Sequence, residues 1–299
     1  MLQVKAISFG YSAKKQIVKN LSFSVPKGTV YGFLGANGAG KTTTIRLILN
    51  LLKPSSGEIL IDGEQFNSSG NVIYKGIGSL IEQPTFYGHL TGFANLKLWA
   101  TYYKVSSQRI DEVLEMVQLG HAKNDKAKNY SQGMKQRLGI ATALLHSPKL
   151  LILDEPLNGL DPKGIKEIRS LFLNLKNNGI TIFLSSHILS EIEATCDRLC
   201  IIDQGQLKFE GTIKELNVLL SKEILFQLRT NNQQQAKTTL EGLGFKHSSD
   251  ERYLTITLKS EEDISSIIEK LVQSGIQIYE VKKNESRLED LYLTLTEGE

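Results

Sequence analysis

Gly35-Ala36-Asn37-Gly38-Ala39-Gly40-Lys41-Thr42 is the stretch whose reading decides the fold. It follows Val30–Leu34, a short apolar run, and precedes Thr43–Leu52, which is apolar at helical spacing. Glycines at this spacing let successive backbone N–H groups curl around a phosphate, and a helix N-terminus behind them adds partial positive charge. Lys41 then reaches β- and γ-phosphate oxygens, and the Thr42 hydroxyl suits Mg²⁺. A glycine turn that merely caps a helix is the plainer alternative, but the strand-before, helix-after context favours the phosphate reading. Gly35, Asn37, Gly38, Ala39, Gly40, Lys41, Thr42 and Thr43 are therefore candidate nucleotide-binding residues.

Moving outward, Lys149-Leu150-Leu151-Ile152-Leu153-Asp154-Glu155-Pro156 puts two carboxylates at the end of an unbroken apolar run. Such runs are strands buried on both faces, and in open α/β sheets ligands bind at the carboxyl ends of the strands. Asp154 suits Mg²⁺, directly or through its water, and Glu155 suits polarising the water that attacks a γ-phosphate. Ile180–Leu184 is a second run of this kind, and Lys163–Asn177 between them has the pattern of an amphipathic helix. Strands separated by helices predict an α/β fold with a parallel, helix-covered core. Leu2–Phe9, Leu21–Val25 and Glu58–Asp62 alternate more openly and predict an added antiparallel layer. Phe86–Val117 is apolar at helical spacing and predicts an inserted helical block, a subdomain of about residues 86–146.

The 299 residues are 40% apolar and 22% charged, enough for a sizeable core and against disorder or a disulfide scaffold. A spanning helix needs about 18 or more consecutive apolar residues, and no stretch approaches that; the first residues also lack the apolar core of a signal peptide. The net charge of +3 hides a division: residues 1–219 carry +7 and residues 220–299 carry −4, and all six prolines lie in the first part. The expected boundary falls near Asn217–Lys222. The tail predicts strand Ile224–Arg229, helix Gln234–Leu243, strand Phe245–Ser248, strand Tyr253–Leu258, helix Glu262–Ser274, strand Ile276–Val281 and helix Leu288–Thr294. This is a β-α-β-β-α-β module with no motif that carries chemistry. Cys196 and Cys200 could share a helix face, but no zinc spacing accompanies them, so two reduced core thiols are expected.

Further motifs specify the type of nucleotide hydrolase. Tyr130-Ser131-Gln132-Gly133-Met134-Lys135-Gln136-Arg137-Leu138 resembles the signature of ATP-binding cassette (ABC) ATPases, usually Leu-Ser-Gly-Gly-Gln. Asn158-Gly159-Leu160-Asp161-Pro162 resembles that family's D-loop and Ser185-Ser186-His187 its switch histidine. Gln83, after the predicted strand Ile77–Glu82, sits where the Q-loop glutamine lies, and Tyr11 where an aromatic stacks on adenine. Each alone has a bland reading: Tyr11 a core aromatic, His187 or Gln83 a strand end, Ser131 an N-cap. All appear in the family's order across residues 1 to about 219.

The resemblance implies an ABC cassette that binds ATP and Mg²⁺, the metal held by Thr42, Gln83 and Asp154. It implies catalytic roles for Glu155, His187, Gln83 and Lys41. It implies head-to-tail pairing with a second ATPase subunit, expected to be an identical copy. There Ser131, Gln132 and Gly133 close on the partner's ATP and Asp161 communicates across the interface. Gln132 and Met134 depart from the usual signature, while Ser131 and Gly133 keep its contact-making positions. The nearest resemblance is to the separate ATPase subunits of bacterial ABC-2-type exporters of bacitracin, lantibiotics and related peptides. That implies two separate transmembrane permease subunits and a cytoplasmic chain, peripheral on the inner face of the membrane. An importer ATPase, an exporter of non-peptide cargo, or a soluble ABC ATPase of the ribosome are the alternatives. The last normally pairs two cassettes in one chain with a basic linker, whereas this chain has one cassette and an acidic tail. Its basic residues are scattered without aromatic interleaving, so no nucleic acid is expected.

Overall fold

The computed structural model describes residues 1–12, 15–65, 76–220, 224–250, 252–258, 260 and 262–284, the side chains of 217–220 and 284 excepted. The chain forms two compact units, Met1–Ile213 and Lys214–Glu299.

In the first unit the strands are β1 (Leu2–Ser12), β2 (Lys15–Val25), β3 (Val30–Leu34), β4 (Ser56–Ile61), β5 (Glu64–Gln65) and β6 (Ile77–Leu80), with helix α1 (Lys41–Ile48) after β3. Helices α2 (Gly92–Tyr103), α3 (Ser107–Met116) and α4 (Gln132–Leu144) follow, then β7 (Leu150–Leu153), α5 (Pro162–Asn177), β8 (Thr181–Ser186), the short α6 (Leu189–Glu193), β9 (Arg198–Asp203) and β10 (Gln206–Thr212). Six strands make a sheet in the order β10-β9-β3-β8-β7-β6. All its pairings are parallel except β9–β10. Every residue of β3, β7 and β8 is buried, which explains runs without polar breaks. The carboxyl ends of β3, β7 and β8 converge, so the loops leaving them meet.

The antiparallel sheet β2-β1-β4-β5 lies against this core. Its inward side chains, among them Leu2, Leu21, Phe23, Val25 and Ile61, share one apolar cluster with Phe33, Ile45, Ile152 and Phe183. Phe23, Tyr31, Phe33 and Phe183 pack ring to ring at 5.3–6.0 Å between centroids. Burying each such ring contributes about 1.5–3 kcal/mol. The expected helical block is present and is built of separate helices. Lys104, at φ +57, ends α2, and Ser106 caps α3 by accepting the N–H of Arg109.

The second unit contains α7 (Ile213–Leu220), which begins at the junction, then β11 (Ile224–Thr230), α8 (Gln233–Gly242), β12 (Lys246–Ser249), β13 (Leu254–Leu258), α9 (Asp263–Gln273) and β14 (Ile278–Asn284). Its antiparallel sheet runs β12-β13-β11-β14. On β13, buried Leu254, Ile256 and Leu258 alternate with half-exposed Thr255 and Thr257, the period-2 signature of a one-sided sheet. The buried set packs with Ala236, Leu240, Ile267 and Leu271 of the two helices. The expected helix Leu288–Thr294 lies outside the described residues.

The two cysteines do not share a helix. Cys196 follows α6 and Cys200 is in β9; both thiols are pushed up in pKa by burial, which suits inert core packing. Among the described residues, no helix is long and apolar enough to cross a membrane.

Candidate functional site

The loop leaving β3 turns into α1 through Gly40, whose φ of +106° L side chains rarely adopt. This bend lets the chain start α1 at Lys41. Lys41 is 6% exposed, and its Nζ donates to Gly35 O at 2.8 Å and Ala36 O at 3.2 Å. The same ammonium pairs with Glu155 Oε1 at 3.1 Å. The loop curls on itself, with Ala39 N–H donating to Ala36 O at 3.1 Å, and presents exposed Asn37 and Gly38 at its tip. Thr43 follows, half-buried.

Across from the loop, β7 ends in Asp154 and Glu155. Thr42 Oγ1 donates to Asp154 Oδ2 at 2.8 Å. Ser185 Oγ donates to Asp154 Oδ1 at 2.5 Å and accepts the Glu155 N–H at 2.9 Å. Glu155 adopts φ +48°, a left-handed conformation costing about 1 kcal/mol or more for a side chain of its kind. The Ser185 bond and the Lys41 pairing hold it there. Its other oxygen, Oε2, lies 2.9 Å from His187 Nδ1. One ammonium, two hydroxyls, two carboxylates and one imidazole thus converge at the ends of three strands. Charge and proton acceptors of this kind suit binding a polyphosphate and moving a proton from water.

The other expected site residues divide between further places. Gln83 is exposed and lines a cleft of about 280 Å³ with Pro84, Lys128, Gln132 and Lys135, instead of pairing with Thr42 or Asp154. Ser131 caps α4 by accepting the Met134 N–H at 3.2 Å. Ser131 and Gly133 share an open groove of about 490 Å³ with Asp161, Arg137 and Glu167. Asp161 caps α5, its Oδ1 accepting the Gly164 N–H at 2.8 Å. So Gln132 faces the Gln83 side while its two neighbours face Asp161. Tyr11 is 62% exposed and packs edge-on against Phe9. The Arg46 guanidinium donates to Tyr11 and to the Glu82 carboxylate, 2.6 Å away, and these bonds raise its pKa above the ordinary value.

The sequence alone did not single out Ser185, which ties the Asp154 carboxylate to the Glu155 backbone N–H. The available signal was a hydroxyl inside a doubly buried strand, where a polar group must find a partner. The Arg137–Glu167 pair at 3.1 Å in the signature groove had no such signal.

Residues 18–158 match the ABC transporter family model. The chain is 44% identical over 296 residues to the bacitracin transport ATP-binding protein BcrA of Bacillus licheniformis, covering 96% of this chain and 94% of the relative. The chain belongs to the ABC transporter ATP-binding proteins. It is also 40% identical to the lantibiotic transport ATP-binding protein SrtF of Streptococcus pyogenes, covering 77% of this chain and 100% of that one. Among solved structures it is similar to cbiO1 from Clostridium perfringens, part of the ABC transporter complex cbiONQ. There the TM-score is 0.68 and the identity 28%, with 81% of this chain and 95% of that chain covered. The fold is the ABC cassette, a parallel core with an antiparallel layer and helical insertion, carrying a small α+β unit. As a member of this family the chain is an ATPase subunit that binds ATP and works with membrane permeases.

Proposed function

We propose that this ABC ATPase binds ATP and Mg²⁺ at the convergence of Lys41, Thr42, Asp154, Glu155 and His187, and powers export of a peptide-like antibiotic. Convergence of these five side chains at the strand ends is the observation that carries the reading. ATP phosphates exchange with the Glu155 carboxylate for Lys41, freeing that carboxylate to polarise the attacking water while His187 orients it. Thr42 and Asp154 supply two hard oxygen donors 2.8 Å apart, a set that would hold Mg²⁺. The metal neutralises charge on the transferring phosphoryl group. Gln83, from its cleft, would be a further oxygen donor to the metal, and Tyr11 offers its exposed ring to adenine.

Pairing with a second copy places Ser131 and Gly133 of one subunit on the ATP of the other, with Asp161 at the seam. The open groove beside the α4 N-terminus suits that anion. Residues 1–219 act as this cassette, with residues 220–299 as an accessory domain. Two separate permease subunits carry the cargo, and the ATPase sits on the cytoplasmic face of the bacterial membrane. The bacitracin and lantibiotic names of relatives at 40–44% identity support that cargo class. The test is to co-express the chain with its neighbouring permease subunits in a sensitive host and measure bacitracin and lantibiotic tolerance. Raised tolerance that Glu155→Gln abolishes is expected. Tolerance unchanged by the wild type removes the cargo assignment, and absence of Mg²⁺-dependent ATP hydrolysis by the purified chain removes the whole reading.

A further inference from the structure

Glu191 is 8% exposed in α6, four residues beyond His187, in a helix turn where a carboxylate gains nothing from burial alone. Its Oε2 accepts a hydrogen bond from Ser186 Oγ at 3.0 Å. The Ser186 hydroxyl has a single proton and two acceptors in reach, Glu191 at 3.0 Å and Ile188 O at 3.4 Å. The shorter bond to a charged acceptor is the stronger one. With its proton directed to Glu191, Ser186 Oγ presents a lone pair to the Ile188 N–H, which donates to it at 3.0 Å. The backbone on the far side of His187 is thereby clamped. The near side is held as well, since Ser186 O accepts the N–H of Gly35, the first residue of the phosphate loop, at 3.3 Å.

The platform carrying Glu191 is rigid. A Cβ on Gly32 of β3 would lie 2.7 Å from Ile192 Cγ2 and 3.0 Å from Cys196 Sγ, so α6 is seated directly on the strand that feeds the phosphate loop. Charge from several elements faces the Glu191 carboxylate. Burial raises its pKa and Glu155 repels it, whereas the Ser186 bond, Arg169 of α5 and His187 favour its ionised form. Arg169 also has a buried Nε without a hydrogen-bond partner among the described residues. The hydrogen bond of the Glu191 carboxylate goes to Ser186, and Glu155 acts on it only through charge.

We propose that Glu191 is a positioning residue for hydrolysis: through the Ser186 hydroxyl it fixes the backbone flanking His187 and so aims the imidazole at Glu155. This rests on the ATPase reading above and goes beyond it, because it assigns a role to a buried carboxylate outside the reacting set. Ground-state binding of ATP depends on Lys41 and the phosphate loop, so loss of Glu191 acts on turnover. Orientation errors at a reacting group are costly in rate, about ten- to a hundredfold for small displacements.

The experiment measures steady-state ATP hydrolysis by the full chain, well below the melting temperature of each variant. Glu191→Ala is expected to lower kcat at least about tenfold while KM for ATP stays within about twofold. Glu191→Gln, which keeps an oxygen acceptor for Ser186, is expected to restore kcat to within about threefold of the wild type. Ser186→Ala, which removes the hydroxyl from the same bond, is expected to match Glu191→Ala, and it carries the test if Glu191→Ala does not fold. An unchanged kcat, a loss in KM alone, or a Glu191→Gln variant as slow as Glu191→Ala overturns the proposal. A wild type that does not hydrolyse ATP overturns the ATPase reading and the proposal together; a hydrolysing wild type with normal variants overturns only the proposal.

Discussion

The two units bury their side chains differently. Among the described residues, the polar and charged residues that are buried as a whole lie in the first unit: Lys41, Thr44, Asn95, Gln136, Arg137, Asp154, Thr181, Ser185, Ser186, Glu191 and Thr195. The core of the second unit is Phe226, Leu228, Leu240, Leu254, Ile256, Leu258, Ile267 and Leu271 with their apolar neighbours. Burying a polar group without a partner costs about 1–3 kcal/mol, so a fold that does so repeatedly must supply partners at defined positions. At the strand ends of the first unit those partners are other functional groups, as in the chain Thr42–Asp154–Ser185–Glu155, and elsewhere they are mostly backbone groups, as for Thr44 and Asn95. A packed apolar core needs only volume and pattern. The contrast assigns chemistry to the first unit and leaves the second to build stability or contacts.

The largest blow to that contrast would come from Glu155→Gln. Turnover should fall about a thousandfold, measured as phosphate release, while ATP still binds and the chain elutes as a dimer in its presence. Normal turnover would mean the buried charges of the first unit are structural. Lys41→Ala comes next. Nucleotide affinity should drop about a hundredfold, equivalent to about 2–3 kcal/mol for a charged hydrogen-bond donor, in a fluorescent-nucleotide titration. Ser185→Ala removes the hydroxyl that joins the Asp154 carboxylate to the Glu155 N–H, leaving a buried carboxylate oxygen and a backbone N–H to rearrange. A loss of about 1–2 kcal/mol in kcat, roughly tenfold, is expected, with ATP affinity nearly unchanged.

Ile256→Val probes the other side. It should destabilise the second unit by about 0.5–1.5 kcal/mol in its thermal transition and leave ATP hydrolysis within about twofold. A collapse of hydrolysis would break the division of labour. The smallest effect is a pH slope. The folded-state pKa of Glu191 is raised, so the folded protein holds that proton to higher pH than the unfolded chain does. Its contribution favours the fold below the ordinary glutamate range and is lost as pH rises through the raised value. Replacing it by Gln should flatten the fall of melting temperature with pH across that window.

Much of the first unit was legible because its strands are buried on both faces and its glycine loop follows one of them. Boundaries were less so. The helix expected at Thr43–Leu52 runs from Lys41 to Ile48. It starts earlier because polar Lys41 and Thr42 carry no apolar signal, and it stops because Asn50 turns to φ +54. The strand expected to reach Glu82 ends at Leu80, and Glu82 itself takes φ +63, redirecting the chain before Gln83. Phe86–Val117 resolves into a loop and two helices because Lys104 adopts a left-handed cap that periodicity does not reveal.

Sequence alone determined much of the order of elements, though not α6, β9 or β10, together with the glycine loop and the carboxylates at a strand end, because these follow from local periodicity and from residue types at fixed spacing. Tertiary structure decided which groups meet. Asp154 and Ser185 are separated by 31 positions and Thr42 and Asp154 by 112, yet each pair is joined by one hydrogen bond. Ser186 and Glu191 look like an ordinary hydroxyl and an ordinary helix carboxylate until α6 seats on Gly32 and closes water away from both. Burial of that kind depends on neighbours remote in the chain, and no local pattern encodes it.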